Sequence, residues 1–256
     1  MCETPVLRSG PCGALTSRLS TLTMEKGLII ETQPLDVYGQ MAADEALCDT
    51  LPARHLLRFY NWKAPGITFG YSQRAAAVRQ AVDAAGCKIQ DIVRRPTGGG
   101  IVFHETDLTF SFIFHSPGVY FEPGKTYDRL HRAINAEYAR QGITFDLLKE
   151  KTKDYAVNDP VMNCFAKPVN MDILYNGKKV LGGALRKFGD YMLYQASFQA
   201  PDARQNERAH RNAVIKALAG EFGLEWEVAG IPAETLARAE AITAEKYRTA
   251  AWNERI

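Results

Sequence analysis

The sequence predicts an α/β or α+β domain, a sheet with flanking helices and a helical tail. Three observations predict it. Helical and strand-like patterns alternate through the first 140 residues, strand-like runs cluster between residues 170 and 198, and the last fifty residues read as helical and charged. A chain of 256 residues with 46% hydrophobic content is long enough to close one large core.

The elements follow in order. "GLIIE" at 27–31 is an apolar run bounded by polar residues and reads as a first strand. "DVYGQMAADEALCDTL" at 36–51 sets Met41, Ala42, Ala46 and Leu47 at helical spacing. "HLLRFYNW" and "GITFGYS" are strands on either side of a "KAPG" turn. "AAAVRQAVDAAG" is a short helix stopped by Gly86, and "YDRLHRAINAEYARQG" is an amphipathic helix closed by Gly142. Between them "KIQDIV" leads into a glycine-rich segment, and "LTFSFIF" is a largely apolar strand. From 170 to 198 the dipeptides Asn176-Gly177 and Gly189-Asp190 divide three strand-like runs, the pattern of a meander. The expected division is a disordered extension over 1–23 and one domain over 24–256.

Composition excludes several classes. Lys plus Arg total 31 against 29 Asp plus Glu, a net charge of +2, so no bulk field exists for nucleic acid. No apolar run approaches the roughly 20 residues that span a bilayer. The five cysteines, Cys2, Cys12, Cys48, Cys87 and Cys164, are odd in number and scattered, which fits a reducing cytoplasm without disulfides or structural zinc. Residues 1–23 are rich in Ser, Thr, Gly and Pro and lack periodicity; Met24 reads as a natural start. A disordered tail, a misplaced start and an organelle-targeting peptide are the readings of that segment.

Three stretches carry candidate chemistry. In "RRPTGGG", Gly98, Gly99 and Gly100 can adopt backbone angles closed to other residues and leave room for a ligand. Arg94 and Arg95 just upstream can supply charged donors to a carboxylate or phosphate. No Gly-Lys-Ser/Thr follows, so this is not a P-loop; the plain alternative is a glycine bulge with solvated arginines. In "NGKKVLGGALRK", Lys178 and Lys179 alternate across a strand, so one faces inward and the other solvent. Gly182 and Gly183 weaken a strand unless another group must approach its backbone. The plain alternative is an exposed hairpin. In "MNCFAKP", Cys164 sits in a loop ahead of the meander, where a neighbouring ammonium would lower its thiol pKa and make it nucleophilic. A lone cysteine is more often buried and inert, the reading given to Cys48 and Cys87 in helix-like segments. His104 is either an acid–base group or a satisfied core histidine. "HETD" lacks the H-E-x-x-H pattern, so no metal is expected, and no G-x-S-x-G elbow is present.

Together these stretches resemble the biotin/lipoate protein ligase superfamily, and within it the cysteine-dependent octanoyltransferases. The family pattern R-R-x-[ST]-G-G-x-x-V-x-H is met by Arg94, Arg95, Thr97, Gly98, Gly99, Val102 and His104. A second, G-[RK]-K-[IV]-x-G-x-A, is met by Gly177, Lys178, Lys179, Val180, Gly182 and Ala184. Gln195 and Ala196 stand where the family usually has His-Gly. The resemblance covers residue 26 to the end. It implies a mixed, largely antiparallel sheet with flanking helices, of the class II aminoacyl-tRNA synthetase and biotin protein ligase type. It implies catalytic roles for Cys164 and Lys179. Substrate-binding roles fall to Arg94, Arg95, Thr97, the three glycines, His104, Gly182, Gly183 and Ala184.

Two chemistries share that family. A transferase takes octanoyl from acyl carrier protein onto a cysteine. It then passes it to a lysine of a lipoyl domain, such as the glycine-cleavage H protein or a 2-oxoacid dehydrogenase E2, and needs no cofactor. A ligase activates lipoate with ATP and Mg²⁺. The Cys-Phe placed before "MDILYNGKK" and the "RRPTGG…DLTFSF" arrangement favour the transferase; Gly100 and "VNMDIL" echo the ligases. A noncatalytic acyl- or cofactor-binding protein is the third possibility.

Overall fold

Aromatic or aliphatic residues alternate with polar ones in residues 108–112 and 194–198. Successive strand side chains point to opposite faces, so these stretches demand a sheet with one greasy face and one polar face. The computed structural model describes residues 24–118, 122–149, 165 and 169–256. Its elements run β1 (Glu25–Glu31), α1 (Val37–Thr50), β2 (His55–Phe59), β3 (Gly66–Phe69), α2 (Ala75–Ala84), β4 (Ile92–Arg94), β5 (Val102–His104) and β6 (Leu108–His115). Then follow α3 (Pro123–Arg140), β7 (Asp146–Leu147), β8 (Ile173–Tyr175), β9 (Lys178–Phe188), β10 (Tyr191–Phe198), α4 (Glu207–Phe222), β11 (Leu224–Gly230), α5 (Ala233–Ile242) and α6 (Ala250–Asn253).

Eight strands form one sheet in the order β11-β1-β2-β6-β10-β9-β8-β7, and β4-β3-β5 form a second, small one. In the large sheet β1 runs parallel to β11 and β2, and every other pair is antiparallel. The mixed, largely antiparallel sheet expected is therefore present. Its greasy face carries Phe110, Phe112 and Phe114 of β6 with Met192, Tyr194 and Phe198 of β10, packed on Leu130, Ile134 and Tyr138 of α3 and Val214 and Leu218 of α4. Burying side chains of this size stabilises by roughly 1.5–3 kcal/mol each. Leu56, Ile113 and Leu193 on the opposite face meet Leu47 of α1. Asp36 caps α1, its carboxylate accepting the Gly39 N–H at 2.9 Å.

The turn signals fall where expected. Gly86 and Gly142 follow α2 and α3 with φ of +67° and +77°. Asn176 and Gly177, at +50° and +73°, close the β8–β9 hairpin in the left-handed pair that suits a two-residue turn. The tail departs from its all-helical expectation. Gly223 ends α4 at φ +66°, and the chain enters strand β11 at once. Leu224, Trp226 and Val228 alternate there with Glu225 and Glu227, a period-two pattern that the charges disguised. A π-helical turn, Thr243–Tyr247, joins α5 to the last short helix region. The expectation for 1–23 falls outside the described residues, and so does Cys164. Among the described residues, no helix is long and apolar enough to cross a membrane.

Candidate active site

The polar half of the sheet's alternation builds the site. On the α1 face, Arg58, Ser111, Gln195 and Ala184 are successive cross-strand partners over β2, β6, β10 and β9. Thr109, Ser197 and Gly182 form the next row. Above these rows lies a narrow cleft. Met41, Val102, Phe165 and Ala196 give it apolar walls, and Tyr60, Thr68, Arg95, His104, Gln195 and Ser197 add polar groups.

Lys179 lies at the Gly182 end. Strand alternation leaves Lys178 exposed and buries Lys179. The Lys179 ammonium stands 2.9 Å from Asp172 Oδ2, with both side chains almost wholly buried. Asp172 also accepts the Val169 N–H at 2.6 Å and the hydroxyl of Tyr127. Burial pushes the Asp172 carboxyl up, against the opposing pull of Lys179, Tyr127 and Val169. Next to this pair, His131 stacks on Tyr127 at 3.9 Å and bonds Tyr194 Oη at 2.7 Å. Burial, and then the charge of Lys179, lowers its pKa to about 3. A side chain on Gly182 would lie 2.1 Å from Lys179 Cε, and one on Gly183 would lie 2.3 Å from the Tyr194 ring. The groups that need these two glycines are the protein's own side chains, with Gly182, Gly183 and Ala184 still lining the cleft.

The glycine segment is divided in its roles. Arg95 lines the cleft and donates to the carbonyls of Gly98 and Gly100 at 2.7 and 2.9 Å and to Thr68 Oγ1 at 2.8 Å. It thereby ties the loop back on itself. Gly99, at φ +86°, crosses so close to Gly70 that a Cβ there would lie 1.8 Å from the Gly99 oxygen. Thr97 Oγ1 donates to Gln195 Oε1 at 2.7 Å and joins the loop to the sheet. Gly98, Gly99 and Gly100 shape the rim through Arg95 and are not among the residues lining the cleft. Arg94 is fully buried elsewhere, its guanidinium bonding the carbonyls of Tyr71, Gln73, Trp252 and Asn253 at 2.7–3.1 Å. It fastens the C-terminal helix.

Two buried networks back the cleft. Asp44 on α1 receives Arg58 (2.5 and 2.9 Å), Ser111 Oγ (2.7 Å), Gln195 Nε2 (2.8 Å) and the Tyr60 hydroxyl. His104 Nδ1 is 2.8 Å from Asp107 Oδ2, its Nε2 is 2.8 Å from Thr68 Oγ1, and Trp62 stacks on its ring at 4.5 Å. Ser197 and Thr109 donate to the same Asp107 oxygen. Burial pushes the Asp107 carboxyl up, but the His104 charge and these three donors outweigh it and hold the group below its usual range.

Sequence reasoning therefore reached Lys179, Arg95, Thr97, His104 and the strand glycines, but missed Asp172, Tyr127, Asp44, Asp107, Thr68 and Ser197. A signal existed: polar residues at alternate positions of "LTFSF" and "YQASF", expected in a half-buried strand only where they have partners. Cys48 is buried within α1, and burial, with Asp44, pushes its thiol up. Cys87 lies beyond the end of α2 and is half-buried, not in the helix expected.

Comparison with known proteins places this geometry. Residues 36–217 match the family described as the lipoyl protein ligase A/B catalytic domain. The octanoyltransferase LipM of Carboxydothermus hydrogenoformans is 32% identical over 161 residues, 60% of this chain and 57% of that protein. The LipM of Halalkalibacterium halodurans is 27% identical over 220 residues, covering 76% of this chain and 78% of the relative. The chain thus spans under two thirds of the first of these relatives. Among solved structures, a putative lipoate protein ligase from T. acidophilum with bound lipoic acid superposes with a TM-score of 0.73 at 20% identity, over 91% of this chain and 100% of that one. Lipoate-protein ligase A bound with ATP gives 0.70 at 22% identity, over 90% and 99%. At these identities the structural likeness is one of fold.

Proposed function

The chain belongs to the lipoyl protein ligase A/B catalytic-domain family, and from that premise we propose that it is an octanoyltransferase. Octanoyl passes from acyl carrier protein to the Cys164 thiol as a thioester, and from there to a lysine of a lipoyl domain as an amide. The two LipM relatives support the activity. One observation carries the assignment of the nucleophile. Phe165, the residue after Cys164 in sequence, lines the cleft, and its ring lies 5.2 Å from the Lys179 ammonium.

In this reading Lys179, fixed by Asp172, keeps a positive charge beside the reacting carbonyl. It favours the thiolate and then the oxyanion, an effect worth about 3–4 kcal/mol for a well-placed donor. Thioester exchange is nearly balanced, so the first step needs no nucleotide. Met41, Val102, Phe165 and Ala196 would hold the acyl chain, with Arg95 and His104 at the polar wall. Thr97, Gly98, Gly99 and Gly100 act through the loop that Arg95 fastens. The glycine-cleavage H protein and 2-oxoacid dehydrogenase E2 are the candidate recipients.

The test is octanoyl transfer without ATP, comparing wild type with Cys164→Ser and Cys164→Ala. Intact mass should show a hydroxylamine-labile octanoyl adduct on wild type alone. Retained activity in Cys164→Ala together with strict ATP dependence would make the protein a ligase. Binding of octanoate with no transfer under either condition would make it a noncatalytic binder.

A further inference from the structure

The cleft holds a second chemically competent group that the transfer just described does not use. Thr68 Oγ1 accepts a hydrogen bond from Arg95 Nη1 at 2.8 Å and lies 2.8 Å from His104 Nε2. His104 Nδ1 lies 2.8 Å from Asp107 Oδ2. For a neutral His104 imidazole, the donor inventory orders these bonds. Asp107 is an ionised carboxylate and can only accept, so His104 Nδ1 carries the proton and Nε2 presents its lone pair. Thr68 has a single hydroxyl proton. With Nε2 an acceptor, that proton points at it, and a lone pair of the same oxygen accepts from Arg95.

The resulting order, carboxylate to imidazole to hydroxyl, is the arrangement that lets a hydroxyl pass on a proton. All three side chains are at least 96% buried, and Thr68 and His104 face the cleft with Asp107 behind them. The relay also adjoins Lys179. Ser197, which donates to Asp107, is the cross-strand partner of Gly182, and the Lys179 ammonium sits 2.4 Å from where a Gly182 side chain would begin. Opposed side chains in such a pair start about 5 Å apart.

We propose that Thr68, acting through His104 and Asp107, is the proton-transfer group for amide formation. The inference rests on the acyl-transfer reading above. The neutral amine of the recipient lysine attacks the thioester carbonyl and forms the C–N bond. Its surplus N–H proton passes to Thr68 Oγ1 while the Thr68 proton passes to His104 Nε2, leaving an imidazolium held by Asp107. As the C–S bond breaks, the proton returns through Thr68 to the departing thiolate. The sum is thioester plus amine giving amide plus thiol, with no other reagent. Lys179 stabilises charge on the oxygen, and the relay handles the proton.

The experiment separates this claim from its parent. Formation of the octanoyl-enzyme and its discharge to a lipoyl domain are timed separately for wild type, Thr68→Val, Thr68→Ser and Asp107→Asn. Thr68→Val should slow discharge about 100-fold or more, the usual scale of acid–base assistance. It should leave octanoyl-enzyme formation and the KM for the lipoyl domain within a few-fold. Thr68→Ser should recover most of the rate. Nitrogen NMR of His104 should show the Nδ1–H tautomer in wild type and its loss in Asp107→Asn. Equal slowing of both half-reactions, failure of serine to rescue, or an Nε2–H tautomer in wild type would overturn the relay. Wild type that never acquires octanoyl would instead remove the parent reading.

Discussion

Gly182 and Gly183 are neighbours in one strand with different jobs, and substitution should tell them apart. An alanine at 182 collides with the far end of the flexible Lys179 side chain, while one at 183 meets the fully buried Tyr194 ring. Gly182→Ala should therefore move the ammonium from Asp172, lower transfer at least 10-fold and destabilise by roughly 3–5 kcal/mol, the scale of a buried pair that loses one partner. Gly183→Ala should cost about 1–3 kcal/mol by overpacking. Urea unfolding beside an activity assay reads both. His131 makes a pH prediction of definite sign. Its pKa, about 3 in the fold against 6.5 in the open chain, means that only the unfolded state binds its proton in that window. Its contribution to stability is complete above about pH 6.5 and is lost as pH falls toward 3, with a slope approaching 1.4 kcal/mol per pH unit. His55, lowered chiefly by burial, acts in the same direction. His131→Gln should flatten the slope between pH 6 and 4; an unchanged slope would mean that folded His131 takes up the proton.

At the scale of elements, the β8–β9 hairpin and the C-terminal helix position the site from opposite ends. Gly177, at φ +73°, sets the register that puts Lys179 inside and Lys178 outside. Gly177→Ala should lose about 1 kcal/mol through the left-handed backbone it must adopt. Arg94 holds α6 by two of its four carbonyl bonds, and Trp252 returns a bond to the Arg94 carbonyl at 2.9 Å. Arg94→Met leaves those carbonyls without their donor. Amide hydrogen exchange in residues 249–256 should rise well ahead of exchange in β6 and β10; uniform exchange would show that the tail is held by other means. These elements were legible to different degrees. The dipeptides at 176–177 and 189–190 named their turns because few residues tolerate positive φ. The strand at 224–230 was hidden because an edge strand keeps one row of its side chains in water and needs little hydrophobicity.

For the molecule as a whole, Asp44 is the point where α1, the large sheet and the glycine loop meet. It binds Arg58 and Ser111 of the sheet directly, and through Gln195 it reaches Thr97. Asp44→Ala would leave the Arg58 guanidinium buried without its carboxylate, a loss of about 3–5 kcal/mol. For a domain of this size the melting temperature should fall on the order of 10 °C, and acyl binding should weaken with it as the cleft loses its back wall. Binding retained at full strength in the folded variant would show the network to be structural alone.

The sequence by itself determined the fold class, the helices, the meander and the family. Apolar periodicity and turn residues are local properties, and two long motifs in fixed order do not arise from composition. It also named Lys179 and Arg95, since each stands inside one of those two motifs. Only the tertiary structure decided which partners those charges have. Asp172, Asp107, Thr68 and Asp44 are unremarked in one dimension because a buried polar group is defined by what surrounds it. Arg94 and Arg95 are adjacent and alike in sequence, yet one fastens a terminus and the other lines the cleft, because neighbouring residues of an extended chain point in opposite directions.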